Sequence, residues 1–198
     1  MPRVHVQTAR TDRYNKGLSV PTHKTKSGFR IDRSKPADEN DTIFCRKGDT
    51  YYWWQFRYSG KIFSTEYPKQ SQLTQSEFYG AVYSLQEEAD DWEVNSEDDF
   101  TELLEYCKST IEEIRDEQEK KRDNMISGNE NLENTPVAEL LQERYDNMEE
   151  IHDELESLDW ESFEDEDDEN EEDEDSQEFL DHCNEQKEKI TEVLGNVN

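Results

Sequence analysis

A mostly helical α+β fold is what this sequence predicts: a small antiparallel hairpin or three-strand sheet, then an antiparallel helical hairpin and a C-terminal helix. Three observations carry the prediction. An aromatic and β-branched stretch over 43–67 is broken by turn residues, long segments after it repeat apolar residues at helical spacing, and a purely acidic run separates the last of these from the rest. With 198 residues, 30% hydrophobic and 37% charged, the core must be thin. The expected organisation is a basic flexible arm (1–42), an aromatic sheet plus helix (43–95), an acidic helical hairpin (96–160), a polyacidic linker (161–175) and a terminal helix (176–198).

The arm carries nine basic and two acidic residues over 1–36, interrupted by Gly17, Pro21, Gly28 and Pro36 and without a sustained period, so an extended or unfolded segment is expected. The sheet is read from IFCRKGDTYYWWQFRYSGKIFSTEY, where Gly48-Asp49 and Ser59-Gly60 mark tight turns between three short strands. Alternation places Tyr52, Trp54, Phe56 and Tyr58 on one face and Tyr51, Trp53, Gln55 and Arg57 on the other. One face can serve as core, which leaves the second, with Tyr51, Trp53 and Arg57 beside Arg46, Lys47 and Lys61, for a helix or a partner.

After Pro68, Leu73, Phe78, Val82 and Leu85 fall at helical intervals behind a Thr74 cap with Glu77 three residues on, which predicts a helix lying on the sheet. Ser96 with Asp99 opens a second helix with the stripe Phe100, Leu103, Leu104, Cys107, Ile111 and Ile114. Thr135-Pro136 opens a third, with Val137, Leu140, Leu141, Tyr145, Met148, Ile151, Leu155 and Leu158 as its apolar set. The ten-residue stretch MISGNENLEN between them suits a helical hairpin. Phe179, Leu180, Cys183, Ile190, Val193 and Leu194 then give a last helix one apolar side against that hairpin.

Net charge is −30, and it is unevenly placed: residues 86–198 hold 44 acids against eight bases, while 1–36 is net positive. Twelve acids in fifteen positions over 161–175 repel too strongly for a folded element. Cys45, Cys107 and Cys183 are odd in number and form no CxxC pair, so neither a disulfide framework nor a zinc ribbon is expected. No signal-like or membrane-spanning run occurs, and a cytoplasmic protein without membrane contact is expected. Nothing resembling a phosphate loop, a nucleophile elbow, HExxH or an EF-hand loop appears, which favours an interaction protein over an enzyme, with no cofactor and no metal.

Two candidate surfaces follow from the charge pattern. On the acidic half, one carboxylate occurs about every 3.9 Å of helix axis, and two adjacent helices bring this to about 1.9 Å gross, or about 2.4 Å after subtracting bases, near the roughly 1.7 Å of duplex DNA. The candidate contacts for a basic nucleic-acid-binding protein are Glu97, Asp98, Glu112, Glu113, Asp116, Glu149, Glu150, Asp153, Glu164, Asp165, Asp167 and Asp168. A solvated acidic face that only keeps the protein soluble is the competing reading. On the basic half, Arg10, Arg13, Lys24, Lys26, Arg30, Arg46, Lys47, Tyr51, Trp53, Arg57 and Lys61 combine cations with rings, the chemistry that holds single-stranded nucleic acid. There the competing readings are an arm folded onto the protein's own acids and aromatics used only to bury area. Helices assembling copies of the chain are a third possibility, for which the heptad pattern gives no argument.

The stretches KGDTYYWWQFRYSGK (47–61), PKQSQLTQSEFYGAVYSLQEE (68–88) and LLQERYDNMEE (140–150) resemble an uncharacterised family of small proteins encoded by tailed bacteriophages. The resemblance implies expression in a bacterial host, and a phage origin favours, by analogy alone, a host-takeover or anti-defence role such as anti-restriction. It supplies no activity, ligand or residue role.

Overall fold

The computed structural model describes residues 1–10, 12–15, 31–32, 42–163 and 177–197. They divide into two compact units, Met1–Gly80 and Ala81–Asn198. By composition the first holds 14 basic and 8 acidic residues and the second 8 and 44, so the charge boundary and the structural boundary nearly coincide.

The first unit is built around β5 (Thr50–Gln55), whose sequence TYYWWQ is made almost wholly of residues that favour a pleated strand. It lies between β1 (His5–Thr8) and β6 (Lys61–Ser64), antiparallel to both, with His5 opposite Trp53 and Trp53 opposite Phe63. A second three-stranded sheet places β2 (Arg13–Asn15) between β3 (Ile31–Asp32) and β4 (Thr42–Cys45). The turn from β4 to β5 is closed by Arg46 N–H donating to Asp49 Oδ2 at 2.8 Å, with Gly48 at φ 99°. Tyr51 is 1% exposed beside buried Ala9 and Cys45, flanked by Phe44, Trp53 and Phe63, and its hydroxyl donates to Gln7 Oε1 at 2.6 Å. Trp54, on the opposite face, is also buried, so the sheet covers part of both faces.

Two expectations change here. The segment expected to be a structureless arm contributes three strands, β1, β2 and β3, and the third strand of the central sheet is β1 and not the 42–45 segment. The reason is non-local. Three of the four β1 residues are exposed, so no amphipathic alternation announces the strand, and what holds it is backbone pairing with β5 more than forty residues away.

In the second unit, α2 (Glu97–Gly128) and α3 (Pro136–Glu156) form a helical hairpin joined by the 3-10 turn Glu130–Leu132, and α4 (Gln177–Gly195) packs on both. The Ser96 side chain accepts from Asp99 N–H and that of Thr135 from Ala138 N–H, the caps expected at these starts. All six stripe residues of α2 are buried, and the stripe runs on to Gln118, 1% exposed, whose Oε1 has no hydrogen-bond partner among the described residues. In α3 the buried set is Ala138, Leu141, Met148, Ile151 and Leu155. Val137 and Leu140 are 56% and 42% exposed, contrary to expectation, because the seam shared with α2 and α4 selects one register and small Ala138 occupies its first turn.

Helix α1 (Glu77–Asp91) starts two residues later than expected. Ser76 Oγ accepts from Tyr79 N–H, while Thr74 Oγ1 accepts from Ser76 N–H and Leu73 belongs to the 3-10 turn Gln70–Leu73. From Ala81 onward the helix belongs to the helical unit and not to the sheet. Gln86 Nε2 donates to Leu194 O at 2.6 Å, and Lys187 Nζ on α4 donates to Asp90 O and Trp92 O at 2.5 and 2.7 Å. Lys187 thereby caps the carbonyl end of α1, where the helix dipole is negative and α1 has no basic residue of its own in the last turn. Lys187→Met keeps the stem and removes both bonds, and a loss of about 1–3 kcal/mol is expected in thermal unfolding followed by helical ellipticity.

Part of the expected acidic linker is ordered on α4. Trp160 packs against Phe100 and His182, Phe163 against Phe179 and His182, and the Glu161 carboxylate meets Lys189 Nζ at 2.8 Å. The Lys189 ammonium holds the Glu161 carboxyl below the usual carboxylate range. The remaining acids of the run, from 164, lie outside the described residues.

Candidate functional site

Each unit presents one surface with usable chemistry. On the helical unit, the side of α3 opposite its buried set carries Asp146, Glu149, Glu150, Asp153 and Glu154, which line an open groove of about 500 Å³ with Ser157. These residues follow i, i+3, i+4, i+7 and i+8, one carboxylate per about 3 Å of axis at a rise of about 1.5 Å per residue. One strand of DNA presents a phosphate every 3.4 Å or so.

Of the acids proposed from sequence, Glu97, Asp98, Glu112, Glu113, Glu149, Glu150 and Asp153 are exposed. Asp116 is partly covered and spent locally: Arg115 reaches it at 3.1 Å and Glu112 at 3.2 Å. Glu164, Asp165, Asp167 and Asp168 lie outside the described residues. Asp146 and Glu154, which join Glu149, Glu150 and Asp153 in the groove, were not singled out from sequence. The i+3/i+4 spacing was the available signal, obscured by the abundance of acids on every side.

On the sheet unit, Arg3, His5, Trp53, Gln55, Phe56, Arg57 and Tyr58 line a cleft of about 370 Å³ at the Gln55 end of β5. The His5 and Trp53 rings stack with centroids 4.0 Å apart and planes 6° from parallel. Lys61 Nζ lies 4.0 Å from the Trp53 centroid, and the Arg57 guanidinium 5.0 Å from that of Tyr58. The Phe56–Ser59 turn is closed by Ser59 N–H to Phe56 O at 3.1 Å, and Gln55 Nε2 donates to Ser59 O at 2.6 Å.

The basic and aromatic candidates separate accordingly. Trp53, Arg57 and Lys61 meet at this end. Arg46 and Lys47 sit beyond the other end of β5, a strand of about 17–20 Å, beside the backbone of Ala9 and exposed Arg10. Tyr51 is corrected from candidate contact to core residue, because the face it shares with Ala9 and Cys45 is closed. Arg13 lies in β2, and Lys24, Lys26 and Arg30 are outside the described residues. His5 and Tyr58 were missed by sequence reasoning, and Arg3 was read only as one of the spaced cations of the arm, since only the pairing of β1 with β5 brings Arg3 and His5 to the cleft.

Buried thiols complete the inventory. Cys107 is fully buried, which pushes its thiol up to about 12, and burial also raises Cys183. Among the described residues, His152, Asp153 and Glu156 hold one ligand atom each within 4.8 Å of one another. One helix turn thus offers three of the four to eight ligands that closed divalent sites use, and two of the three side chains are exposed carboxylates.

The fold and these surfaces define the class: an α+β protein with a small antiparallel sheet unit followed by an acidic helical unit. Compared with family models, curated proteins and solved structures, the chain matches none. Among the described residues, no helix is long and apolar enough to cross a membrane.

Proposed function

We propose that the helical unit is a non-enzymatic interaction surface that takes the place of nucleic acid in the basic groove of a nucleic-acid-binding protein. The observation carrying this reading is the α3 stripe from Asp146 to Glu154, whose axial charge spacing approaches that of a DNA strand. It is borne on a packed helix, so the charges need little ordering when they bind. Exposed Glu113 on α2 adds charge to the same unit. The sequence resemblance to tailed-phage proteins supports a bacterial host enzyme, for example one of restriction or defence, as the target.

The test is capture from nuclease-treated bacterial lysate on the tagged full chain, followed by displacement with duplex DNA. The expected result is a basic nucleic-acid-binding protein that DNA displaces and that the combined variant Asp146→Asn, Glu149→Gln, Glu150→Gln, Asp153→Asn retains at least about 10-fold less well. Capture that is indifferent to both DNA and the variant would sink the proposal.

A further inference from the structure

We propose that the cleft at the Gln55 end of β5 is a second binding site, taking one nucleotide unit, a base with its phosphate, either free or in a single strand. The site lies on the sheet unit and is independent of the acidic surface.

Charge is the first argument. In a chain of 52 acids and 22 bases, no acid among the described residues lines this cleft, whereas Arg3 and Arg57 do. Two guanidiniums with fixed forks are suited to phosphate oxygens. The second argument is the rings. His5 and Trp53 already form a parallel stack that Lys61 closes on its Trp53 side, so the His5 end is the flat surface a base extends, and Tyr58 offers another ring with a guanidinium beside it.

Tyr58 supplies the third and most specific argument. It occupies the third position of the Phe56–Ser59 turn at φ 68°, where glycine or asparagine is favoured and a bulky residue is strained. Its side chain is 92% exposed, so burial does not compensate. Neither local propensity nor packing favours tyrosine here. A ring held out for a ligand to stack on does account for it, and the same strain fixes the backbone that carries Arg57.

The net charge of the helical unit opposes any polyanion at low salt. Binding is therefore measured at about 0.15 M salt, where the Debye length is about 8 Å and the cations of the cleft dominate locally. Calorimetric titration of the full chain with adenosine monophosphate, a deoxythymidine decamer, inorganic phosphate and a poly-aspartate peptide tests the proposal. The expected result is binding of the mononucleotide or the decamer, weakened at least about 10-fold by Arg57→Gln and by Tyr58→Gly, with the melting temperature of Tyr58→Gly unchanged or raised. Tyr58→Asn, which also tolerates this φ, is expected to behave the same way.

Mononucleotide and decamer bound alike at this site identifies a free nucleotide as sufficient. Much tighter decamer binding assigns a single strand. Binding of neither, binding unaffected by the Tyr58 variants, or equal binding of phosphate or poly-aspartate overturns the proposal, the last by reducing the cleft to a plain basic patch.

Discussion

Ile111→Ala is expected to destabilise the helical unit by about 2–5 kcal/mol, a large part of the roughly 5–15 kcal/mol that holds a domain of this kind together. Ile111 is 0% exposed on α2, within the buried stripe that runs from Phe100 to Ile114. Both α3 and α4 bring fully buried residues to the same unit: Met148, Ile151 and Leu155 from one, Cys183 and Ile190 from the other. A cavity left in a buried helix seam is closed only in part when its neighbours relax, which is why a cost of this size applies. Thermal unfolding followed by ellipticity at 222 nm reports this unit selectively, since helices α2, α3 and α4 all belong to it. Cys107 gives a second readout: buried and with its thiol at about 12, it should react with a thiol reagent only as the unit opens, and faster in the variant. An unchanged melting temperature would mean that the three-helix seam is not what holds the unit.

Salt is expected to stabilise the same unit strongly. Asp98–Glu102, Glu112–Asp116, Glu113–Glu117 and Glu119–Asp123 in α2 are like-charged neighbours one turn apart. Glu139–Glu143, Asp146–Glu150, Glu149–Asp153 and Glu150–Glu154 repeat the pattern in α3. At about 0.2–0.5 kcal/mol each, such pairs cost roughly 2–4 kcal/mol at low ionic strength. Arg115 and the Lys121–Glu117 pair offset only part of this. Raising salt from about 0.01 M to 1 M shortens the Debye length from about 30 Å to 3 Å, and the melting temperature should rise by at least about 5 °C. A flat salt response would show that the carboxylates are already compensated, and it would weaken the case for this surface as a partner for basic protein.

The helical half was largely legible in the sequence because its determinants are local. Ser96 and Thr135-Pro136 cap their own helices, and a stripe such as Phe100 to Ile114 marks its own face whatever it packs against. The places where the reading failed are those where the partner decides. Val137 and Leu140 fit the apolar period of α3 but lie outside the register that the seam accepts. Trp160 and Phe163 were assigned to a linker or its margin, and their packing on His182 and Phe179 depends on a helix that the sequence places more than a dozen residues later. The cleft at the Gln55 end of β5 was legible in part: Trp53, Arg57 and Lys61 stood out by residue type, while Tyr51, of the same type and on the same strand face, belongs to the core.

By itself, then, the sequence determined the fold class, the helices with the Ser96 and Thr135 caps and most of the buried stripes, and the segregation of charge between the two halves. Periodicity, capping and net charge are properties of neighbouring residues, and a single chain displays them directly. Only the tertiary structure decided that His5–Thr8 joins β5, that Lys187 caps α1, and that Arg3, His5, Arg57 and Tyr58 share one cleft. Each of these joins groups distant in sequence through backbone pairing or a single side chain, and such contacts leave no period for the sequence to show.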